Sequence, residues 1–546
     1  MTAPLVTSLG HAGLRIDAPG LRLLCDPWMS PGGAFLGSWF PFPDNAHVRT
    51  PQMLDADWVA ISHEHLDHLD LPLLRGLAPS VRIVIPRYPS REMRNRLAGA
   101  GISNVVIELD AWQRLALNDR GAWVTVIPEH SPMCHDAAIL IHTGEHSVLH
   151  TNDARLSVSQ LRRAHEQVGG VIDLMGVQMS GASWHPICYD YPPEVISRIS
   201  SEKRTGKFRA VTRLLRAAPP KVVIPYAGPP CFLDPALAHH NAAMRAPGIF
   251  PDQTQALAFL RERLPKQACD YLLPGDRMRA GSVRVERDPH WEGFSFEHPN
   301  AYLRAYAARR KSEIDAVYAD LPDPTPESRL GERFREHFLA LGALSDYFLR
   351  RIGMTVRFEV RGRAGGEWDV RFGPDTTAVD LVSSGVRPGY HLTVEARWLD
   401  AVLTGRARWE DLFLSLRIRA SRDPDVYNDY LVGLLKHADP EALEAIETYE
   451  TTRDPEETVV LTDGSTEYVV SRYCPHAGED LQHGGIVRDG VLRCLGHNFE
   501  FDLETGTCLN ARCDPLRVSA VGEVGAICAA ASPAPGDVLV QGPRSR

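Results

Sequence analysis

The chain of 546 residues has no long apolar run and no excess of basic residues. No stretch reaches the roughly 18 apolar residues of a membrane-spanning helix, so the sequence predicts no membrane partner. The first residues, MTAPLVTSLG, have neither a basic region nor an apolar core. We therefore expect no signal peptide and a cytoplasmic location. The net charge of −10 argues against a nucleic-acid partner, because phosphate binding needs a basic face.

Cysteine is also sparse, with ten residues spread along the whole chain. Without an export signal, reduced thiols and metal ligands are expected instead of a disulfide framework. The composition, 44% apolar and 23% charged, is that of a globular protein. The length predicts roughly three to five domains.

Two short segments near the C-terminus, YCPHAGEDL and CLGHNFEFD, carry a set of possible metal ligands. The order is Cys-x-His, then 17 residues, then Cys-x-x-His. A [2Fe–2S] cluster with two thiolates on one iron and two imidazoles on the other needs this set. Two cysteines and two histidines also suit a structural zinc ion, which is the alternative. The predicted ligands are Cys474, His476, Cys494 and His497.

The surroundings of these ligands resemble the Rieske family. Pro475 and the glycines Gly478 and Gly496 have matching positions, and the glycines allow the backbone to approach a cluster. Phe499 and Phe501 follow the second segment. The residues directly after His476 and directly before His497 are alanine and glycine, not cysteine, so the resemblance is to the oxygenase and ferredoxin type.

A second candidate metal site lies in ISHEHLDHLD, which follows an apolar strand. This segment resembles the H-x-H-x-D-H loop of the metallo-β-lactamase fold. His63 and His65 are expected to bind one metal, and Asp67 and His68 a second metal, with the two metals roughly 3.5–4 Å apart. Asp153, in LHTND, stands where that family has a bridging aspartate. The predicted catalytic residues are Asp67, His68 and Asp153.

The remaining ligands of this site are less clearly marked. His130, in PEHS, is predicted as the third ligand of the first metal, and His135 is its rival. The family supplies a further histidine after its last strand, where this chain has Pro229. No residue fits that role cleanly; the nearby candidates are His185, Asp234, His239 and His240. Asp26 and His11 resemble residues that lie behind the ligands, but equally fit a strand-end turn and a buried polar residue.

The pattern of strands and helices predicts a multidomain chain. Short β-rich runs alternate with helical patterns up to about residue 265, which indicates α/β layers. We predict an αββα metallo-β-lactamase fold over 1–290, a helical connection over 291–350, an α+β sterol-carrier-like module over 351–443 and an all-β Rieske domain over 444–546.

Several segments resemble the CMP-N-acetylneuraminate monooxygenase (hydroxylase) family, in the same order. They are LCDPWMSPG, WVAISHEHLDHLDLPLLRGL, DAAILIHTGEHSVLHTNDAR, VIPYAGP and ARWEDLFLSLRIRASRDPDVYN. The resemblance also suggests the sterol-carrier-like module around ARWEDLF. The departure is in domain order, because the Rieske domain comes first in that family and last here. The substrate is therefore not carried over.

The resemblance implies an oxidoreductase, a Rieske-dependent monooxygenase. The [2Fe–2S] cluster would pass electrons to one or two irons in the lactamase-like site, which would activate O2 on a small, nucleotide-linked or amino-sugar substrate. LAGAGISN follows a helical stretch and is rejected as a dinucleotide site. Electrons are therefore expected from a separate reductase, ferredoxin or cytochrome, and a homo-oligomer is left open. The alternative is a zinc-dependent hydrolase with the cluster as a redox sensor.

Two further features have open interpretations. The basic stretch SEKRTGKFRAVTRLLR could hold substrate phosphates or form a solvated helix face. Trp184, His185 and Tyr189 could line the substrate pocket or simply pack. His142, His146 and His150 are interpreted as ordinary strand residues.

Overall fold

The structure is a computed structural model that describes residues 3–180, 183–245, 248–374, 376–382, 385–452, 457–476, 478–495 and 498–523. The chain divides into two compact units, Met1–Thr452 and Arg453–Arg546. Each unit is described by itself.

The first unit opens with two sheets. The eight strands of one sheet are, in spatial order, Val285–Glu286, Arg277–Arg279, Leu5–Gly10, Gly13–Ala18, Leu21–Cys25, Trp58–Ala60, Arg82–Pro86 and Val106–Leu109. The seven strands of the other are Ala268–Cys269, Val222–Tyr226, Leu174–Gln178, Ser147–His150, Ala137–Thr143, Ala122–Pro128 and Leu115–Ala116. A separate short pair joins Phe40–Pro41 and Pro230–Cys231.

The burial pattern of the strand Ala137–Thr143 explains the layering. Ile139 and Ile141 belong to a core that both sheets share. Ala138 and Leu140, on the opposite face, pack in a core with helix residues such as Leu161. A strand that is buried on both faces has a continuous apolar run, here AAILI.

The helices of this part cover the outer faces of the two sheets. A third core joins Val59 and Ile83 of the first sheet to Leu73 and Leu97 of its helices. The four layers confirm the predicted αββα architecture. The helices are Pro51–Leu54, Leu71–Arg75, Glu92–Gly99, Val158–Gln167, Pro193–Ala217 and Gln253–Arg263, with 3-10 turns at Ala46–Val48, Ala238–Met244 and Pro289–Trp291.

The rest of the first unit begins with helices and continues as an α+β module. Its five-stranded sheet has the order Thr377–Asp380, Gly366–Phe372, Thr355–Arg361, Tyr390–Glu395 and Ile418–Arg422. A further short strand is Tyr427–Asn428. The helices are Pro299–Arg309, Lys311–Asp320, Leu330–Gly342, Asp346–Ile352, Ala396–Leu403, Trp409–Leu414, Asp429–His437 and Pro440–Thr452, with a 3-10 turn at Pro326–Ser328.

The second unit consists mainly of short strands. One three-stranded sheet contains Thr458–Asp463, Thr466–Ser471 and Val518–Glu523, and the other contains Gly485–Arg488, Val491–Cys494 and Glu500–Asp502. A short helix, Leu481–Gly484, and a short strand, Ala511–Arg512, complete the described part.

None of the helices in the described ranges combines the length and the apolar character needed to cross a membrane.

Candidate metal centres

The H-x-H-x-D-H segment forms a loop directly after the strand Trp58–Ala60. That strand runs parallel to Leu21–Cys25 and Arg82–Pro86. Asp26 follows the first of these neighbours, and Asp153 follows a strand of the other sheet within three residues. Polar side chains from both sheets therefore meet at the carboxyl ends of their strands.

The first group of candidate ligands consists of His63, His65 and Asp136. The ligand atoms of the three residues all lie within 4.8 Å of one another. His63 Nε2 is 2.8 Å from His65 Nδ1 and 3.6 Å from Asp136 Oδ1. His63 is buried, and Asp136 lies just before the strand Ala137–Thr143.

Two further groups overlap around His68. One combines His68 with His63 and Asp153, and the other combines it with Asp67 and His11. His68 Nε2 is 3.5 Å from Asp153 Oδ1 and 3.8 Å from Asp67 Oδ2. His11 Nε2 is 3.0 Å from the same Asp67 oxygen. The three groups are linked because two of them share His63 and two share His68, which is the geometry of a paired metal site. Asp153 lies near residues of both metal positions.

A buried carboxylate behind the loop determines which histidine nitrogens face the centre. Asp26 Oδ2 accepts hydrogen bonds from Ser62 Oγ at 2.7 Å and His68 Nδ1 at 3.0 Å. Because the Ser62 hydroxyl proton points to Asp26, the serine oxygen accepts from His63 Nδ1 at 2.8 Å. The Nε2 lone pairs of His63 and His68 are then directed to the centre, as metal ligation requires.

The carboxylate itself is held in its charged form. Burial alone would raise the pKa of Asp26, but hydrogen bonds from His150 and His68 outweigh burial and lower the pKa well below its usual range. His150 Nε2 lies 3.0 Å from Asp26, and His150 Nδ1 accepts from the Tyr226 hydroxyl at 2.8 Å. His150 was interpreted as an ordinary strand residue, since a histidine in a strand carries no local signal that would single it out.

Two unpaired atoms test whether the centre fits a metal ion. Among the described residues, His68 Nε2 and Asp67 Oδ1 are buried and have no hydrogen-bond partner. A buried polar atom without a partner is costly, and a bound cation would satisfy both of these atoms. Burial lowers the pKa of His63, with a further lowering from His68. For His65 and His68, nearby carboxylates outweigh burial and raise the pKa, to about 9 for His65, so a metal cation would bind there by displacing protons. The residues present fit one or two metal ions.

The structure brings five of the predicted metal residues together but not His130. His63, His65, Asp67, His68 and Asp153 belong to the groups above, whereas His130 is exposed and its Nε2 is 3.2 Å from Ser157 Oγ. Asp136, from the same loop, occupies the place that was predicted for His130. The sequence missed Asp136 because spacing within a loop does not show which side chain turns inward.

The other candidates also lie elsewhere. His135 is buried, and its Nδ1 is 3.1 Å from Glu64 Oε1. Asp234 contacts Arg417 and Tyr318, and His239 and His240 pack against each other. His11, for which two interpretations were left open, lies beside Asp67 and His68.

Three of the four predicted cluster ligands lie within the described part of the second unit. Cys474, His476 and Cys494 are buried, and His497 lies outside the described residues. The two ligand loops lie side by side, because the imidazole of His476 stacks on Phe499 with ring centroids 4.0 Å apart. Gly478 N donates to Cys474 O, and Asn498 N donates to Cys494 O, so the same backbone hydrogen bond is found after each cysteine.

Comparison with known proteins identifies both domains. Residues 21–186 match the family "Beta-lactamase superfamily domain", and residues 434–519 match "Rieske [2Fe-2S] domain". The domain in the second unit is therefore of the kind that holds a [2Fe–2S] cluster.

The chain is also similar, over part of its length, to proteins that are named hydroxylases. The cytidine monophosphate-N-acetylneuraminic acid hydroxylase of Danio rerio is 25% identical over 455 residues, which cover 78% of this chain and 70% of the relative. Among solved structures, CmlA, a diiron beta-hydroxylase from Streptomyces venezuelae, is 19% identical with a TM-score of 0.34 over 53% of this chain and 55% of that chain.

A protein of Mycolicibacterium smegmatis that carries the name Rieske 2Fe-2S iron–sulfur protein is similar over nearly the full length of both chains. It is 30% identical over 536 residues, which cover 94% of this chain and 99% of the relative. The chain therefore belongs to the family of that Rieske 2Fe-2S iron–sulfur protein, and within it a lactamase-fold domain precedes the Rieske domain.

Proposed function

We propose that the protein is a Rieske-dependent non-haem iron monooxygenase that hydroxylates a small organic substrate. The observation that carries the proposal is the presence, in one chain, of a Rieske domain and a buried histidine–carboxylate centre with paired geometry. The named activity of the Danio rerio relative, a hydroxylase, supports the same reaction class. Hydroxylation places one atom of O2 in the product and reduces the other to water, so two electrons and two protons must enter.

The proposed ligands are divided between two positions. His63, His65 and Asp136 would hold one iron, Asp67, His68 and His11 the other, and Asp153 would lie between them. Iron bound there supplies the redox chemistry with O2 that the side chains lack. Histidine and carboxylate ligands with open positions are typical of non-haem iron sites that use oxygen.

The protein residues around the centre fix these ligands and keep water away. Asp153 accepts a hydrogen bond from the side-chain amide of Gln178, whose oxygen in turn accepts from Lys207. His68 is fully buried, so bulk water does not reach its ring. The chain therefore supplies a partly shielded site whose donor atoms have fixed directions before a metal ion binds.

Cationic side chains near the centre support an anionic substrate as part of the proposal. Lys203 donates to the backbone oxygen of His185 at 3.0 Å, and Arg422 lies 3.3 Å from His185 Nε2. Burial lowers the pKa of Lys203 to about 7, with a further lowering from Arg422 and Arg155. Lys207, one helical turn from Lys203, reaches the centre through Gln178. A substrate with a phosphate or carboxylate group, such as a nucleotide-linked or amino-sugar compound, would stabilise these crowded cations.

The proposal also covers the other domains of the chain and its electron donor. The segment 351–443 is proposed to be a sterol-carrier-like module between the lactamase-like domain of 1–290, with its helical connection, and the Rieske domain of 444–546. Electrons would come from a separate reductase, ferredoxin or cytochrome in the cytoplasm. A homo-oligomer is compatible with this scheme.

The test is metal analysis and EPR spectroscopy of anaerobically purified protein, before and after dithionite. We expect more than two irons per chain and a reduced Rieske signal, followed by substrate-dependent oxygen uptake. Zinc in the first unit with an intact Rieske signal would overturn the proposal in favour of a hydrolase. Absence of a Rieske signal in fully metallated protein would overturn the cluster assignment.

A further inference from the structure

A glutamate of the α+β module reaches the metal-binding loop of the lactamase-like domain. The helix Trp409–Leu414 carries Glu410, whose Oε1 lies 3.1 Å from His65 Nε2. Lys436 Nζ lies 2.9 Å from the same oxygen. The side chains of His65, Glu410 and Lys436 are between 15% and 17% exposed, so this contact is shielded from water.

The contact determines which nitrogen of His65 faces the centre. His65 Nδ1 lies on the inner side, 2.8 Å from His63 Nε2, whereas Nε2 lies on the outer side against Glu410. A carboxylate accepts hydrogen bonds and cannot donate one when charged, so Nε2 must carry the proton. Nδ1 is then the nitrogen that would bind a metal on the inner side, beside His63 and Asp136.

A second contact fixes the same loop from the same module. His437 follows Lys436 at the end of the helix Asp429–His437, and its ring centroid is 4.4 Å from that of His135. His135 in turn lies 3.1 Å from Glu64, between the first two histidines of the motif. The α+β module therefore contacts the loop at His65 directly and at Glu64 through His135.

We propose that Glu410 is a positioning residue of the metal centre and that Lys436 holds its carboxylate in place, so the α+β module completes a site whose ligands belong to the lactamase-like domain. The inference rests on the proposed metal site. Carboxylates that hold the outer nitrogen of a ligand histidine fix its orientation and raise its basicity, and their loss typically costs 10–100-fold in metal affinity. Neither spacing nor resemblance pointed to Glu410 as part of the site.

The test measures Co2+ affinity of the full chain after mild chelation, with the Rieske absorbance as an internal count of intact protein. Glu410→Leu combined with Lys436→Met removes both charges together, so no buried charge is left unpaired. We expect Co2+ affinity to fall about 10–100-fold in this variant, with a changed d–d spectrum. Glu410→Gln with Lys436→Met keeps an acceptor for His65 and should recover part of the affinity.

Asp411→Asn is the matched control, because Asp411 lies on the same helix and pairs with Arg96 across the same interface without touching the metal loop. It should bind Co2+ like the wild type. Thermal midpoints of the metal-free proteins show whether a variant has lost its fold, and Glu410→Gln alone provides the comparison if the leucine variant does not fold.

The outcomes distinguish a failure of the role proposed for Glu410 from a failure of the proposed metal site. Wild-type affinity, within twofold, in both the leucine and the glutamine variants would overturn the role of Glu410 while the metal site stands. An equal loss in Asp411→Asn would show general damage to the interface and would also overturn it. If the wild-type chain itself bound no Co2+, the metal site and the function proposed for it would fail first.

Discussion

Asp26 is the residue on which most of the centre's hydrogen bonds converge. Its two oxygens accept from the Ser62 backbone and hydroxyl, from His68 and from His150. Because Asp26 is fully buried, water does not compete for these hydrogen bonds, and the two imidazoles are held in fixed directions. The carboxylate would therefore act on metal binding without being a ligand, because it sets the proton positions of the proposed ligands.

Replacing Asp26 with Asn should weaken metal binding about 10–100-fold, because the neutral amide would no longer fix the His68 ring. Asp17→Asn, at a partly exposed ion pair with Arg15, is the control and should bind metal normally. Metal content per chain, measured after dialysis against graded chelator, checks the result. Full occupancy of the Asp26 variant at the wild-type chelator concentration would contradict the role assigned here.

At this scale the sequence indicated a candidate ligand where a motif marked its position. The compact loop from His63 to His68 followed from its spacing, and Asp153 of LHTND followed from the resemblance to the metallo-β-lactamase fold. Asp136 and His130 lie in one irregular loop, and nothing local indicates which of them faces inward. His11 needed the turn between two strands to be placed against Asp67.

Among the elements, the short helix after the metal loop has an N-cap residue that accepts hydrogen bonds from two separate segments of the chain. Asp70 is the N-cap of Leu71–Arg75 and accepts from Leu73 N at 3.0 Å. The same carboxylate accepts from Met29 N at 2.8 Å and Ser30 N at 2.7 Å, and it is buried. The cap therefore also fixes the neighbouring loop against the end of the metal loop.

Asp70→Ala should destabilise the first unit by about 3 kcal/mol or more, because it leaves several buried donors without acceptors. Asp252→Ala is the matched control: Asp252 caps Gln253–Arg263 alone, so about 1 kcal/mol is expected. Calorimetric unfolding of both variants checks the difference. Equal losses in the two variants would show that the contacts to residues 29 and 30 add nothing.

The element pattern was largely predictable because strands and helices follow local periodicity. The segment predicted to be α+β contains, for example, the strand Thr355–Arg361 and the helix Asp429–His437. The segment predicted to be a helical connection contains two helices that meet at Arg310. The basic stretch lies on the helix Pro193–Ala217, but the pattern could not show that some of its lysines turn toward the centre.

At the scale of the whole first unit, a buried ion pair joins the lactamase-like part to the α+β module. Asp234 lies 2.8 Å from Arg417 and 2.7 Å from the Tyr318 hydroxyl, and the side chains of Asp234 and Arg417 are each 3% exposed. Contacts between residues so distant in sequence leave no periodic signal. For this reason the association of the two parts could not be predicted, although each part could.

Asp234→Asn should destabilise the first unit by about 3–5 kcal/mol at neutral pH, because Arg417 would remain buried without a counter-ion. Burial alone raises the pKa of Asp234, but the Tyr318 hydrogen bond, the Ala236 amide and Arg417 outweigh burial and lower it. A lowered pKa gives stability that is fully present above the unfolded value of about 3.9 and lost as pH falls through the folded value.

The difference in unfolding temperature between wild type and Asp234→Asn should therefore be constant from pH 5 to 8 and should shrink below about pH 4. Calorimetry across this range checks the prediction. A difference that shrinks as pH rises would contradict the assigned charge of Asp234.

The two compact units each carry the proposed ligands of one centre, so the centres should fill independently. His68→Ala is expected to lose iron from the first unit and keep the reduced Rieske signal. Cys474→Ser is expected to lose the cluster signal and keep the iron of the first unit, since no described ligand of that centre comes from the second unit. Metal analysis and EPR of the two full-length variants check both statements.

Substrate-dependent oxygen uptake should be absent in each, because hydroxylation needs the electrons that one centre delivers and the oxygen chemistry of the other. Turnover that persists in Cys474→Ser under the same electron donor would mean that the Rieske cluster is not on the path of electrons.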